Sequence, residues 1–246
     1  MEVVSELVDI TTPEGTMATR VYKPNDDRQH PAVIVIQEVF GVNNNIQTIA
    51  RDIAAEGFIT AAPDVFYRTG RLQTIGYDQM QEVPKLREGM TDDGIVDDLN
   101  ALVAHLNSDS SISRQDIGIT GYCMGGRVSF LAASRVDNIG ASAVYYGGGI
   151  VPREGQATPG PDPIDLADQI SCPVIGFFGG QDQGIPLEAV ETIKKTLEDL
   201  GKTSDIFVYP DAGHGFFCNE RGSYNAEASA DAWTKTIDFF NQHLKD

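Results

Sequence analysis

The stretch GITGYCMGGRVSF, residues 118–130, places a cysteine among closely spaced glycines where an apolar run gives way to a helix-compatible segment. The run before it, IGITGY at 117–122, is typical of a buried strand, and residues 125–135 are typical of a helix. The sharp turn between them permits two interpretations of Cys123. It is either a small core residue that lies at a turn, or a nucleophile presented at the end of the strand.

The segments on both sides of this turn alternate between strand and helix patterns. Strand patterns lie at 31–36, 58–63, 141–146, 173–180 and 204–210, and helix patterns lie at 46–57, 92–106, 186–201 and 226–244. This alternation implies right-handed crossovers and a mostly parallel central sheet with helices on both faces. Val3–Ile10 and Met17–Tyr22 predict an N-terminal antiparallel hairpin at its edge. The sequence therefore predicts one α/β domain over residues 1–246, in which a polar excursion at 65–92 and a Pro/Gly-rich loop at 149–169 shape any pocket.

The charge of the chain limits its partners. The formal net charge is −18, and no run of Lys and Arg interrupts it, so we expect no binding to nucleic acid or membranes. Three widely spaced cysteines indicate neither a disulfide framework nor a metal site. The N-terminus lacks a signal-peptide pattern, and no apolar segment approaches the roughly 18 residues that cross a bilayer. We expect a cytoplasmic protein whose partner is a small molecule.

Reactive side chains follow three of the predicted strands. Cys123 follows IGITGY, Asp182 follows PVIGFFGG, and His214 follows SDIFVYP. Each alone has an ordinary interpretation, as a buried thiol, an Asx-turn aspartate or a loop histidine. Ligands bind beyond the carboxyl ends of parallel strands, so all three are expected to meet there. Their order matches the nucleophile, acid and histidine of an α/β-hydrolase catalytic triad, with cysteine in place of serine.

A second segment extends this site. Gln37, Glu38 and Val39 follow the strand at 31–36, where α/β-hydrolases supply an oxyanion amide. Glu38 is unusual there, because a carboxylate opposes the stabilisation of an anion. Its ordinary interpretation is a solvated loop acid. Its functional interpretation is an acceptor for the Cys123 thiol when no substrate is bound.

The segments QEVFG, GYCMGG, GGQDQGIP and AGHGFF, in this order, resemble the dienelactone hydrolase family over nearly the whole chain. The resemblance implies a monomeric cysteine hydrolase of the α/β-hydrolase fold, without cofactor or metal, that opens unsaturated lactones or cleaves related esters. It implies that Cys123 is the nucleophile, His214 the base and Asp182 the residue that orients the base. Glu38 would hold the resting thiol and move aside when substrate arrives. By motif position, the oxyanion amides would be those of Val39 and Met124.

One position departs from the family pattern. The best-studied type of the family binds a substrate carboxylate with arginines, one of them four residues after the catalytic histidine, and that position is Cys218 here. Arg221, three residues further on, is the candidate replacement, and Arg68, Arg71 and Arg87 in the excursion are others. We therefore expect lactone or ester chemistry in which acidic lactones are handled poorly.

Two alternatives stay open at this point. One is a broad carboxylesterase or thioesterase without lactone preference, which the missing arginine favours. The other is a non-catalytic ligand-binding domain that retains the pocket. The hydrolase interpretation predicts that Cys123 attacks the carbonyl and forms a thioester, which water then cleaves. A chromogenic ester separates the classes, because an enzyme gives a burst and a binding domain gives only saturable binding.

Overall fold

The apolar runs of the sequence form the centre of a sheet in the computed structural model, which describes residues 1–152 and 160–245. The strands are Val3–Thr12 (β1), Gly15–Pro24 (β2), Ala32–Ile36 (β3), Ile59–Pro63 (β4), Ile117–Tyr122 (β5), Ile139–Tyr145 (β6), Val174–Gly179 (β7) and Ser204–Tyr209 (β8). Every residue of β3, β4, β5 and β7 is buried, as expected of strands covered on both faces.

The strand order is that of a mostly parallel sheet with an antiparallel edge. In the described residues the order is β1-β2-β4-β3-β5-β6-β7-β8. The β1–β2 hairpin is antiparallel, β2 pairs antiparallel with β4, and the other pairs are parallel. The predicted fold class and the N-terminal hairpin are confirmed. The carboxyl ends of β3, β5, β6, β7 and β8 consequently meet along one edge.

Six α-helices are found in the described ranges. They are Asn44–Ala55 (α1), Val83–Leu86 (α2), Asp92–Ser108 (α3), Met124–Arg135 (α4), Leu187–Asp199 (α5) and Ala226–Leu244 (α6). Side chains cap several of them, since Asn43, Thr91 and Asn225 accept hydrogen bonds from the first turns of α1, α3 and α6. Helix α4 packs on β5 and β6, so the turn that precedes it opens over the middle of the sheet.

The two connecting segments contain short helices that the sequence patterns did not predict. The excursion at 65–92 includes a 3₁₀ turn at Met80–Glu82 that runs into α2. In the predicted loop at 149–169, Pro163–Gln169 is a 3₁₀ helix that begins with a capping box between Asp162 and Asp165, which corrects the loop interpretation there. Residues 153–159 of that loop lie outside the described residues. None of the helices described is both long and apolar enough to span a membrane.

Candidate active site

The turn after β5 holds Cys123 in a strained conformation. Its φ is +56° and its ψ is −113°, which non-glycine residues rarely adopt. The flanking glycines allow the turn to be this tight. A Cβ at Gly121 would lie 2.0 Å from the carbonyl oxygen of Gly125, and a Cβ at Gly125 would lie 2.5 Å from that of Ile36. The half-buried thiol is therefore presented beyond the end of β5, at the start of α4.

Three predicted side chains are hydrogen-bonded in series. His214 Nε2 lies 3.1 Å from Cys123 Sγ, and His214 Nδ1 lies 2.7 Å from Asp182 Oδ2. The other carboxylate oxygen, Asp182 Oδ1, accepts from the amides of Gly184 at 2.7 Å and Ile185 at 3.1 Å. The Asp182 side chain is buried, so these four contacts fix both its position and the orientation of the imidazole ring.

The neighbours of His214 favour its protonated form. Burial of the ring opposes a positive charge, but the hydrogen bonds to Asp182 and Cys123, together with the charges of those two groups, outweigh it. The pKa of His214 rises from its ordinary value of 6.5 to about 10. An imidazolium beside a sulfur stabilises the thiolate, which is the nucleophilic form of cysteine.

Glu38 lies within the site and is ion-paired. Its side chain is 1% exposed, so the interpretation as a solvated loop acid is wrong, and Arg221 Nη1 donates to Glu38 Oε1 at 3.2 Å. Burial raises the pKa of Glu38, while the positive charges of Arg221 and His214 oppose that rise. The thiol of Cys123 contacts His214, and the hydrogen bond found for Glu38 is with Arg221 rather than with sulfur.

The backbone after His214 determines where Arg221 points. Gly215 has a φ of +75°, and a Cβ there would lie 2.2 Å from Nη1 of Arg221. Glycine therefore lets the guanidinium fold back over the turn toward Glu38. The same guanidinium lies 5.5 Å from the ring centre of Phe40 and 5.9 Å from that of Tyr77, which adds cation–π contacts.

The other positions considered for binding a substrate carboxylate are either buried or already ion-paired. Cys218 is fully buried, and its sulfur lies 3.2 Å from the hydroxyl of Tyr77, so an arginine would not fit there. Arg68 is bonded to the buried Asp98 and to Glu14, and Arg71 pairs with Asp9 of β1. These two arginines tie the excursion to the hairpin and to α3. Of these three arginines, Arg221 is the one that contacts a residue of the site.

The two predicted oxyanion residues follow the ends of neighbouring strands, β5 and β3. Met124 is the first residue of α4, and half-buried Val39 follows β3, the neighbour of β5. A helix N-terminus favours negative charge, which suits Met124 for this role. No group of three or more His, Cys, Asp or Glu side chains within the described ranges has an arrangement that could hold a metal ion.

Tyr146 is a residue of the site that the sequence reasoning missed. It follows β6, is fully buried, and its ring meets that of His214 edge to face at 5.3 Å. The rule that singled out the residues after β5, β7 and β8 applies to β6 as well. Tyr146 was overlooked because a tyrosine at the end of an apolar strand is ordinarily a core residue.

The sheet order and the strained cysteine turn define the α/β-hydrolase fold. A family model described as the dienelactone hydrolase family matches residues 17–244, and the chain belongs to this family.

Two curated relatives share one name with each other. A Synechocystis sp. protein named "Putative carboxymethylenebutenolidase" is 36% identical over 247 residues, which cover 100% of this chain and 99% of that one. A protein of that name from Methylorubrum extorquens is 33% identical over 236 residues, covering 96% and 80%. A Klebsiella pneumoniae crystal structure titled "Putative Dienelactone Hydrolase" is similar with a TM-score of 0.87 and 28% identity, covering 99% of this chain and 100% of that one.

Proposed function

We propose that this hydrolase cleaves carboxylic esters, including lactones, through a thioester formed on Cys123. The observation that carries the proposal is the series Cys123–His214–Asp182, in which each polar atom needed for nucleophilic catalysis is within hydrogen-bond reach of the next. The names of the Synechocystis and Methylorubrum relatives support a lactone among the substrates.

In the acylation step, His214 Nε2 takes the thiol proton and the Cys123 sulfur attacks the carbonyl carbon. The carbonyl electrons move to oxygen, which the amides of Val39 and Met124 stabilise; loss of one such donor typically costs about 10²–10³ in rate. The tetrahedral intermediate then breaks its carbon–oxygen bond, and His214 returns the proton to the leaving oxygen. In a lactone, that oxygen remains attached to the acyl group.

In the deacylation step, His214 removes a proton from water as the water oxygen attacks the thioester carbon. The carbon–sulfur bond breaks, the acid leaves, and the proton on His214 again balances the thiolate. Asp182 keeps Nδ1 protonated throughout, so that Nε2 is the atom that exchanges protons. Before substrate arrives, Glu38 accepts a hydrogen bond from the Cys123 thiol; it then moves aside into its ion pair with Arg221, and the thiol proton passes to His214.

A broad esterase without lactone preference is the second candidate. Arg221 is bonded to Glu38, and the position of the family's substrate-binding arginine is the buried Cys218. A carboxylate-bearing lactone would compete with Glu38 for the guanidinium, whereas a neutral ester would not. Comparison of kcat/KM on an acidic enol-lactone and on its methyl ester separates the candidates. Strong preference for the acid would favour the lactonase and identify Arg221 as its carboxylate partner.

Alkylation of Cys123 tests the mechanism. We expect iodoacetamide to modify Cys123 first and to abolish hydrolysis of a p-nitrophenyl ester in proportion. Cys172 and Cys218 are buried, and burial raises the pKa of Cys172 to about 12, so both should react slowly in the folded protein.

Peptide mass mapping with activity followed in parallel is the measurement, and Cys172→Ala is the matched control that should keep full activity. A mass increase by the acyl group on Cys123, trapped by acid quench, would identify the thioester. Full activity with Cys123 completely alkylated would refute the proposal.

A further inference from the structure

A cavity of about 470 Å³ opens at the carboxyl edge of the sheet, between the loop after β6 and the beginning of α5. Strands β6 and β7 are neighbours, and the ligands of parallel sheets bind beyond the carboxyl ends of the strands. Volumes of about 300–1,000 Å³ are typical of small-molecule sites. The cavity therefore has the position and the size of a ligand site, although the three triad side chains lie outside its lining.

One wall of the cavity is formed by residues that hold Asp182. Gly184 and Ile185 line the cavity, and their amides donate to Asp182 Oδ1 at 2.7 and 3.1 Å. The turn after β7 thus binds the aspartate of the triad and bounds the cavity at the same time.

The opposite wall lies against the helix that begins after Cys123. Gly147 lines the cavity, and a Cβ at Gly126 of α4 would lie 2.9 Å from the Gly147 Cα. The amide of Gly126 donates to the carbonyl oxygen of Cys123 at 3.0 Å. Three residues advance an α-helix by about 4.5 Å, so this wall stands about one helical turn from the nucleophile.

The loop between these walls is held in place, so the cavity is formed in advance of any ligand. Arg127 of α4 makes a bidentate ion pair with Asp92 at 2.6 and 2.8 Å, and its Nε donates to the carbonyl oxygen of Gly149 at 3.0 Å. The amide of Ile164 donates to the carbonyl oxygen of Ile150 at 3.1 Å. A preformed cavity binds a ligand without the entropic cost of ordering the loop.

The lining of the cavity selects for an apolar ligand. Ile150, Ile185 and Ile193 are buried side chains of this lining, and Ala189 at the start of α5 is half-buried. Among the described lining residues, Glu188 carries the one charge. A carboxylate in the cavity would be repelled by Glu188, whereas an uncharged hydrocarbon chain would be removed from water against isoleucine.

We propose that this cavity is the subsite for an apolar, uncharged chain of the ester substrate. The inference rests on the proposed function, and it specifies the substrate class of that function as neutral esters with a chain of several carbons. The carbonyl group of such an ester is placed at Cys123, and the chain extends past Gly147 toward α5. The chain can belong to the acyl group or to the alcohol, since both leave the same carbonyl carbon.

Two series of esters measure the contribution of the subsite. The p-nitrophenyl esters from acetate to hexanoate lengthen the acyl group, and the acetates from ethyl to hexyl lengthen the alcohol. We expect kcat/KM to rise in one series by about threefold to fourfold for each added CH₂, as expected for full burial of a methylene. The series that rises identifies which side of the ester occupies the cavity. Flat profiles in both series would overturn the inference.

Variants of α5 locate the effect in this cavity. Ala189→Phe and Thr192→Phe each add a ring to a lining residue, and Thr192 is exposed, so this second change is compatible with folding. Both should flatten the dependence of kcat/KM on chain length. Glu191→Phe is the matched control, because it adds a ring to an exposed residue of the same helix that does not line the cavity. It should keep the wild-type profile. A steep profile that persists in both lining variants would overturn the inference.

Alkylation separates failure of the subsite from failure of the proposed function, because it needs no ester cleavage. N-hexyl iodoacetamide carries a hydrocarbon chain to Cys123, whose sulfur displaces iodide. We expect it to alkylate wild-type Cys123 at least tenfold faster than iodoacetamide does, and Ala189→Phe and Thr192→Phe to reduce this ratio. A protein that cleaves no ester but shows these ratios would refute the proposed function and retain the subsite. Equal ratios in wild type and in both variants would overturn the subsite.

Discussion

At the level of single side chains, the proton on His214 links the site to the stability of the fold. A histidine whose pKa rises from 6.5 to about 10 on folding contributes stability that is fully present below pH 6.5 and is lost as pH rises through about 10. We expect the difference in unfolding free energy between wild type and His214→Gln to shrink across this range.

Urea unfolding at several pH values from 6 to 10.5 measures that difference. Asp182→Asn weakens the hydrogen bond to His214 Nδ1, which contributes most to raising the pKa of His214. This substitution should therefore flatten the pH dependence of the difference in unfolding free energy. A difference that grows between pH 6.5 and 10 would have the wrong sign for this linkage.

The ion pair of Glu38 gives a second prediction at this level. Arg221→Met retains an apolar side chain against Phe40 and Tyr77 but leaves the Glu38 carboxylate buried without its cation. We expect a loss of about 1–3 kcal/mol in unfolding free energy at pH 7.

The double variant Glu38→Gln/Arg221→Met should recover much of that loss, because no buried charge remains. Denaturant titration of the three proteins is the measurement. If the double variant is as unstable as Arg221→Met, the lost free energy comes from packing and not from the carboxylate.

At the level of elements, the junction of β5 and α4 depends on a glycine that no other residue can replace. Gly121→Ala places a methyl group 2.0 Å from the carbonyl oxygen of Gly125 and 2.6 Å from Ser129 Oγ. The helix must shift away from the strand, at a cost of about 1–3 kcal/mol or more. We expect ester hydrolysis to be lost as well, since Cys123 moves with the turn.

Gly222→Ala is the control, because a methyl group at that position would meet no atom within 4 Å beyond its chain neighbours. Thermal unfolding and hydrolysis of a p-nitrophenyl ester should distinguish the two variants. A Gly121→Ala protein with wild-type stability and rate would show that the turn is less tightly packed than these distances imply.

The sequence predicted the strands and helices that have a clear hydrophobic pattern and missed the short elements that lack one. The buried runs became β3, β5 and β7, and the 3.6-residue pattern of Ile95, Leu99 and Leu102 became α3. The 3₁₀ helix at Pro163–Gln169 is too short for periodicity to indicate it, and its capping box lies in a stretch rich in proline and glycine.

The part of the site that follows regular strands was predictable, and the part that depends on an irregular loop was not. Cys123, Asp182 and His214 could be placed together because each follows a strand of one parallel sheet. The Glu38–Arg221 pair could not, because the direction of Arg221 depends on the positive φ of Gly215 in a loop without a repeating pattern.

At the level of the whole molecule, the net charge of −18 acts on any anionic substrate before it reaches the site. The Debye length falls from about 30 Å at 0.01 M salt to about 3 Å at 1 M. We therefore expect kcat/KM for a carboxylate-bearing ester to rise with added sodium chloride, and that for its neutral methyl ester to stay nearly constant. Steady-state kinetics on the matched pair tests this. A fall in kcat/KM for the acid would indicate that attraction to Arg221 outweighs the overall repulsion.

The sheet is open at β1, and this edge carries a latent risk of self-association. Val4 and Leu7 are exposed along β1, on a strand whose outer backbone groups face no further strand among the described residues. The large overall negative charge repels a second copy that would extend the sheet. Near the isoelectric point of about 4.4 that the composition gives, the net charge falls to zero and this repulsion disappears. Acidification thus turns a strand that is harmless at neutral pH into a template for edge-to-edge aggregation.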